Sequence, residues 1–174
     1  TRAKRKAPQV PIAILIGFEM LVQDSSLPVY VRMYSWFRLL RVWSSLRFDD
    51  HRGLLPKSLH FVSGSLRGTL VRTKTSGLGR KLEELYITIC PHAYLLDAGW
   101  LQTGFRLWSR VSQARDYFFV LPSCDLEGWI VSEASYSDAQ AMSRSILLRL
   151  RGADGKALIT APGAERYWTE QGDK

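Results

Sequence analysis

The 174-residue chain predicts an α+β domain, mainly helical, with one three-stranded antiparallel sheet. Three observations lead there. Two apolar stretches near the start, 11–22 and 28–43, recur at the threes and fours of an α-helix. A middle block, 58–89, shows short strand-like runs divided by Ser63-Gly64 and a basic, glycine-rich tip. The C-terminal half returns to helical spacing between Pro and Gly turns. With 46% hydrophobic and 23% charged residues, the composition is that of a globular domain.

Pro11 suits a first helical position, and Ile12, Leu15, Ile16, Glu19 and Met20 follow at helical spacing. The apolar run 10–22 is 13 residues long and contains Glu19. A bilayer needs ~20, so a core helix is expected and no membrane span. The preceding TRAKRK reads as a basic arm on DNA, a nuclear-import patch, a linker remnant or a disordered tail. Asp24-Ser25-Ser26 breaks the first helix and offers a cap, with Pro28 opening the next. That next helix, 28–43, is apolar almost all round except for Arg32, Arg38 and Arg41, so it belongs in a core. Tyr30, Tyr34, Trp36, Phe37 and Trp43 are therefore read as packing rather than as base-stacking groups.

A polar turn, RFDDHRG, follows, with Arg47 a buried-looking arginine at its start. The strand-like runs are 58–63, 66–73 and 82–89, with 66–73 central and Lys74 on the tip between the second and third. Cys90-Pro91 closes the last strand. A helix is expected over 92–113, weakened by Gly99 and Gly104. The run 117–121 reads as a short buried segment and 123–132 as an irregular loop. Ser137-Asp138 is expected to cap a helix over 139–151 that turns Met142, Ile146, Leu147 and Leu150 inward. A turn at 152–155 and a last helical turn at 162–168 complete the chain. No repeat or strong boundary divides it; 1–35 reads as a basic arm and preceding helix, 36–174 as the main domain.

The formal net charge of +8 is concentrated. Residues 38–81 hold ten Lys and Arg against two acids, Asp49 and Asp50, so this block carries the whole excess. Such a cluster is the footprint of a polyanion partner, nucleic acid being the usual one, or a solvated basic surface. Cys90 and Cys124 form no metal-ligand pair or disulfide framework, which points to a reducing compartment. The three histidines are not at ligand spacing, and adjacent Asp49, Asp50 and His51 point apart on a turn, so no metal or other cofactor is expected.

The stretch LLRVWSSLRFDDHRGL resembles the first catalytic box of tyrosine recombinases and phage-type integrases. A helix ends in a small-residue turn, Leu46 and Arg47 follow, and Asp50 stands three positions on. The run VRTKTSGLGRKLEEL resembles the family's β-hairpin with its lysine, and RFDDHRGL looks most like the DIRS and Crypton recombinases of eukaryotic mobile elements. The resemblance spans about 38–174 and implies duplex DNA as partner, with strand breakage and rejoining as the family chemistry. Arg47 would hold the scissile phosphate, since its planar fork bonds two oxygens at once. Lys74 would protonate the leaving 5′-hydroxyl, Asp50 would orient the box, and Arg52, Arg72, Arg80 and Lys81 would meet the phosphate backbone.

The second box, Thr-x-His-x-x-Arg, is degenerate: Thr169 is followed by Gln171 in place of histidine and Lys174 in place of arginine. The nucleophilic tyrosine would lie past Lys174, and Tyr167 precedes the box in the wrong order to replace it. The resemblance thus implies a DNA-binding, recombinase-like chain of nuclear location that is inactive in these 174 residues. The alternative is a repurposed, non-catalytic subunit with protein partners in a large assembly, in an organelle. An unrelated enzyme has no nucleophile, metal or cofactor motif to rest on. Because the covalent step needs a placed nucleophile, this polypeptide is expected to form no adduct with a nicked suicide DNA substrate. A denaturing gel checks this, and an adduct through any tyrosine would contradict the order of the motifs.

Overall fold

Helix α1 (Ile12–Gln23) packs on helix α2 (Val29–Trp43), and α2 is enclosed from there onward. The computed structural model describes residues 9–71 and 85–167. Among these the order continues with α3 (Phe48–Arg52), a 3₁₀ turn (Pro56–Ser58), β1 (His60–Val62), β2 (Ser65–Leu70), β3 (Leu85–Ile89) and α4 (Trp100–Trp108). Then come β4 (Val120–Pro122), β5 (Trp129–Glu133), α5 (Tyr136–Leu147) and α6 (Ala161–Tyr167). The class is α+β, with a three-stranded antiparallel sheet and a small two-stranded one.

The apolar circumference of α2 dictates this arrangement. Tyr30, Val31, Met33, Tyr34, Trp36, Phe37, Leu39 and Leu40 are all buried, so partners are needed on every side. α1, α4 and α5 supply them. Polar tips end on backbone oxygens: Tyr34 Oη donates to Ala139 O at 2.8 Å and Trp36 Nε1 to Leu101 O at 3.1 Å. Tyr30 Oη donates to Val120 O, tying α2 to β4. Helix α2 runs without a break across position 35, within one continuous core.

Arg38 and Arg41, which the charge count assigns to a basic surface, are instead only 1% exposed. Arg38 Nη1 donates to Ser143 Oγ at 2.7 Å and its guanidinium lies over Phe18. Two of the ten cations in 38–81 therefore serve the interior, because α2 leaves no face for them outside.

The predicted helix over 92–113 forms only as α4, and Glu19 accounts for its late start. Its carboxylate is fully buried and accepts the backbone N–H groups of Leu95, Leu96 and Asp97 at 2.8, 2.8 and 2.9 Å. A turn held by α1 through three charge-assisted bonds outcompetes helix there. Gly104 has a packing reason: a Cβ added to it would sit 2.2 Å from the Trp36 ring.

The strand order β1-β2-β3, with β2 central, matches the expected meander. Ser63 and Gly64 both have positive φ (50° and 78°) and make the two-residue turn between Val62 and Ser65. Gly68 leaves room for Leu54 and Leu59, whose methyls lie 2.8 and 2.9 Å from where its Cβ would be.

Three further expectations are corrected. Residues 123–132 are not a loop but the turn and most of β5. Ser123 closes the turn, its N–H donating to Gly128 O while its hydroxyl accepts from Gly128 N. The strand signal of Trp129-Ile130-Val131 was masked by the polar residues around it. Helix α5 is capped by Ser135, not at 137–138; Asp138 is the N3 residue of a capping box, with Ser135 N donating to its Oδ2 at 2.8 Å. The break after α1 is an Asp24 turn, whose carboxylate accepts from both N and Oγ of Ser26, and Pro28 stands at the N-cap of α2. The inward set of α5 and the chain after it, Met142, Ile146, Leu147 and Leu150, is buried as expected.

Gly104→Ala tests the Trp36 contact. Helix propensity alone would stabilise by up to ~1 kcal/mol; overpacking against Trp36 should instead cost roughly 3 kcal/mol. Urea unfolding followed by tryptophan fluorescence reads the sign.

Candidate nucleic-acid interface

Arg47 stands where α2 stops. Ser44 caps the helix in αR geometry, Ser45 turns the chain with φ 54°, and Leu46 N returns to Arg41 O at 3.0 Å. Arg47 is then extended, at the N-cap of α3. Its neighbours Leu46 and Phe48 are buried, so alternation in extended chain sends Arg47 outward. The expected buried arginine is therefore exposed. Asp50 Oδ2 accepts the Arg47 backbone N–H at 3.2 Å, which sets the start of α3.

Helix α3 has only five residues, too few to stand without docking. Phe48 stacks on Phe119, centroids 5.2 Å apart and planes 13° from parallel, and meets Tyr136 edge-on. One turn on, His51 is fully buried against Phe118 (4.6 Å) and Phe119 (4.7 Å), with Phe37 edge-on at 6.3 Å. Burial, with the Arg41 charge nearby, holds the His51 pKa well below the ordinary 6.5. Asp49 lies outside while His51 lies inside, so these adjacent residues point apart.

Arg52 is half-buried and engaged. Its Nη2 bonds Glu133 Oε1 of β5 at 2.7 Å, Nη1 is 3.8 Å from Asp49, and the guanidinium lies over the Phe48 ring. It fastens α3 to the small sheet. At the other end, Leu55 N donates to Thr69 O at 2.9 Å and Val71 N to Gly53 O at 3.0 Å. The C-terminal end of α3 is thereby laced to the end of β2, and Lys74 follows three residues after Val71 in the sequence. Lys74, Arg72, Arg80, Lys81, Gln171 and Lys174 lie outside the described residues.

The outer face of the meander carries polar groups that the motifs did not single out. In register, His60, Arg67 and Thr88 form one row and Thr69 with Tyr86 the next, and Tyr86 is 67% exposed. No acid occurs in β1, β2 or β3. The alternation of SLRGTL, with Leu66, Gly68 and Leu70 inward, is the signal that marks Arg67 as outward. Tyr30 and Tyr34 are the opposite case: burial raises both phenol pKa values, so neither is a nucleophile near neutrality.

Two kinds of contact hold α3, and mutation separates them. Phe48→Ala should cost roughly 3 kcal/mol of stability. A double-mutant cycle on Arg52→Ala and Glu133→Ala should return a coupling below about 1 kcal/mol, as for partly exposed ion pairs. A larger coupling would make the ion pair rather than the aromatic stack the main tether. Compared with known proteins, the chain matches no family model, no curated protein and no solved structure.

Proposed function

We propose that the chain is a DNA-facing, tyrosine-recombinase-like domain portion that binds the phosphate backbone of duplex DNA. The observation that carries this reading is the order helix, exposed arginine, antiparallel meander, with the meander laced back onto the arginine's own helix by Val71 N to Gly53 O. Lys74 follows Val71 by three residues in the sequence, a length of chain that extends at most about 11 Å. In this reading Arg47 holds a non-bridging phosphate oxygen pair and Lys74 serves as the proton donor of the family chemistry. Asp50 and Arg52 position α3, the first at its N-cap and the second through Glu133. Arg72, Arg80 and Lys81 extend the contact along the backbone, with Arg67 on the outer sheet face. Gln171 and Lys174 stand in the second-box places, where glutamine supplies no general base and lysine no bidentate fork.

A second reading, a non-catalytic subunit with protein partners, is favoured by a different surface. Ile12, Met20, Tyr94 and Leu96 are exposed, and Met20, Tyr94 and Leu96 line one groove of about 600 Å³ beside α1. Scattered exposed apolar residues are ordinary, but several sharing a groove mark an interaction site. No helix among the described residues is long and apolar enough to cross a membrane.

Salt dependence separates the two readings. Duplex affinity should fall on a log-log plot with a slope of roughly −0.9 per neutralised phosphate. Changing Arg72, Arg80 and Lys81 together to Gln should flatten that slope by about one per contact removed, and Arg47→Ala by about one. Affinity absent at low salt, or insensitive to salt, would favour the protein-partner reading.

A further inference from the structure

We infer that His51 is a proton-operated latch on α3: taking up a proton from solvent releases this short helix, and Arg47 with it, while the core around α2 stays folded. The inference depends on the proposed function only for what the release would do to phosphate binding; the latch itself is a property of the packing.

Two side chains, Phe48 and His51, plug α3 into the domain. The imidazole is fully buried among Phe37, Phe118 and Phe119, and neither ring nitrogen has a hydrogen-bond partner. A neutral ring tolerates that site largely as an aromatic plug. An imidazolium would bring two N–H donors with nothing to accept them and a buried positive charge near that of Arg41. Phe118 lies tilted to the ring, and its face offers some cation–π compensation.

The charged surroundings set the sign. From α2, Arg41 acts on the imidazole as a like charge, with Arg38 one helical turn away and Tyr34 on the same helix. From the segment leading into β4, Arg115 bonds Ser112 O and Phe118 O and lies over Trp108. On α3 itself, Asp50 accepts from Arg47 N, and Arg52 bonds Glu133 of β5. Among the described residues, the one charge that acts on the ring is thus the Arg41 cation, and no carboxylate hydrogen-bonds either ring nitrogen. Opening α3 lets His51 reach water and titrate at its ordinary value of about 6.5. Because the docked pKa is depressed, docking is complete above about 6.5 and weakens as pH falls below it, by up to about tenfold per pH unit.

Residue-resolved amide exchange at pH 7.5, 6.5 and 5.5, corrected for intrinsic rates, tests this on the full chain without DNA. Protection over 47–54 should fall by up to about tenfold per unit below 6.5, while α2 keeps its protection. His51→Phe, which keeps an aromatic plug without a proton site, should abolish the acid dependence. His51→Leu is the second variant should Phe not fit. Acid-independent protection of α3 in the wild type, or the same acid loss in both variants, would overturn the latch. So would joint loss of protection in α2 and α3, which is global unfolding. Absence of DNA affinity would remove the proposed function and leave these readings unchanged.

Discussion

A helix without a polar face is the constraint on which this fold depends. α2 exposes apolar or aromatic side chains in every direction, and water is a poor neighbour for all of them. The packing of α1, α4 and α5 follows from enclosing it. Gly104 lets α4 come down onto Trp36, Ser143 of α5 meets Arg38, and Glu19 of α1 pins the turn that leads into α4. Enclosure also explains how two arginines come to be inside. Once α2 is covered on all sides, its polar residues must be satisfied internally or the cover must open.

The place where α2 ends is then the place where the chain first reaches solvent with a fixed geometry. Ser44 and Ser45 stop the helix, Leu46 and Phe48 anchor the next residues, and Arg47 is left outside between two anchors. An exposed cation beside a rigid core is a better binding group than one on a free loop, because less freedom is lost when it engages a partner. The hydrogen bonds from Leu55 to Thr69 and from Val71 to Gly53 make the same segment the edge support of the meander. One short helix thus links the core, the arginine and the central strand.

The aromatic cluster serves two ends. Phe48, Phe119, Phe118 and Phe37 form successive stacked and edge-to-face contacts from α3 into the core, an apolar adhesion that does not depend on pH. His51 inserted among them is different in kind, since its fit depends on its protonation. The apolar plug and the titratable plug sit one helical turn apart on a five-residue helix, so the attachment of α3 is divided between a pH-blind contact and a pH-sensitive one. Ile12 and Met20 of α1, with Tyr94 and Leu96 of the turn before α4, stay outside this core.

Much of the fold was legible in the sequence because its signals are local. The 3.6-residue spacing of 11–22 and 28–43, the Ser63-Gly64 turn and the alternation in SLRGTL each depend on neighbours in the chain. The order helix, arginine, meander was legible for the same reason. What sequence did not reveal was decided by partners far away in the chain. Glu19 captures three amides 76 to 78 residues on and delays the start of a helix; Arg38 finds Ser143, 105 residues on. Arg47 reads as buried in the sequence and is exposed, while Arg38 and Arg41 count toward the basic cluster and are interior. An arginine carries the same charge in either place. Only the packing around α2 determines which side of the boundary with water it occupies.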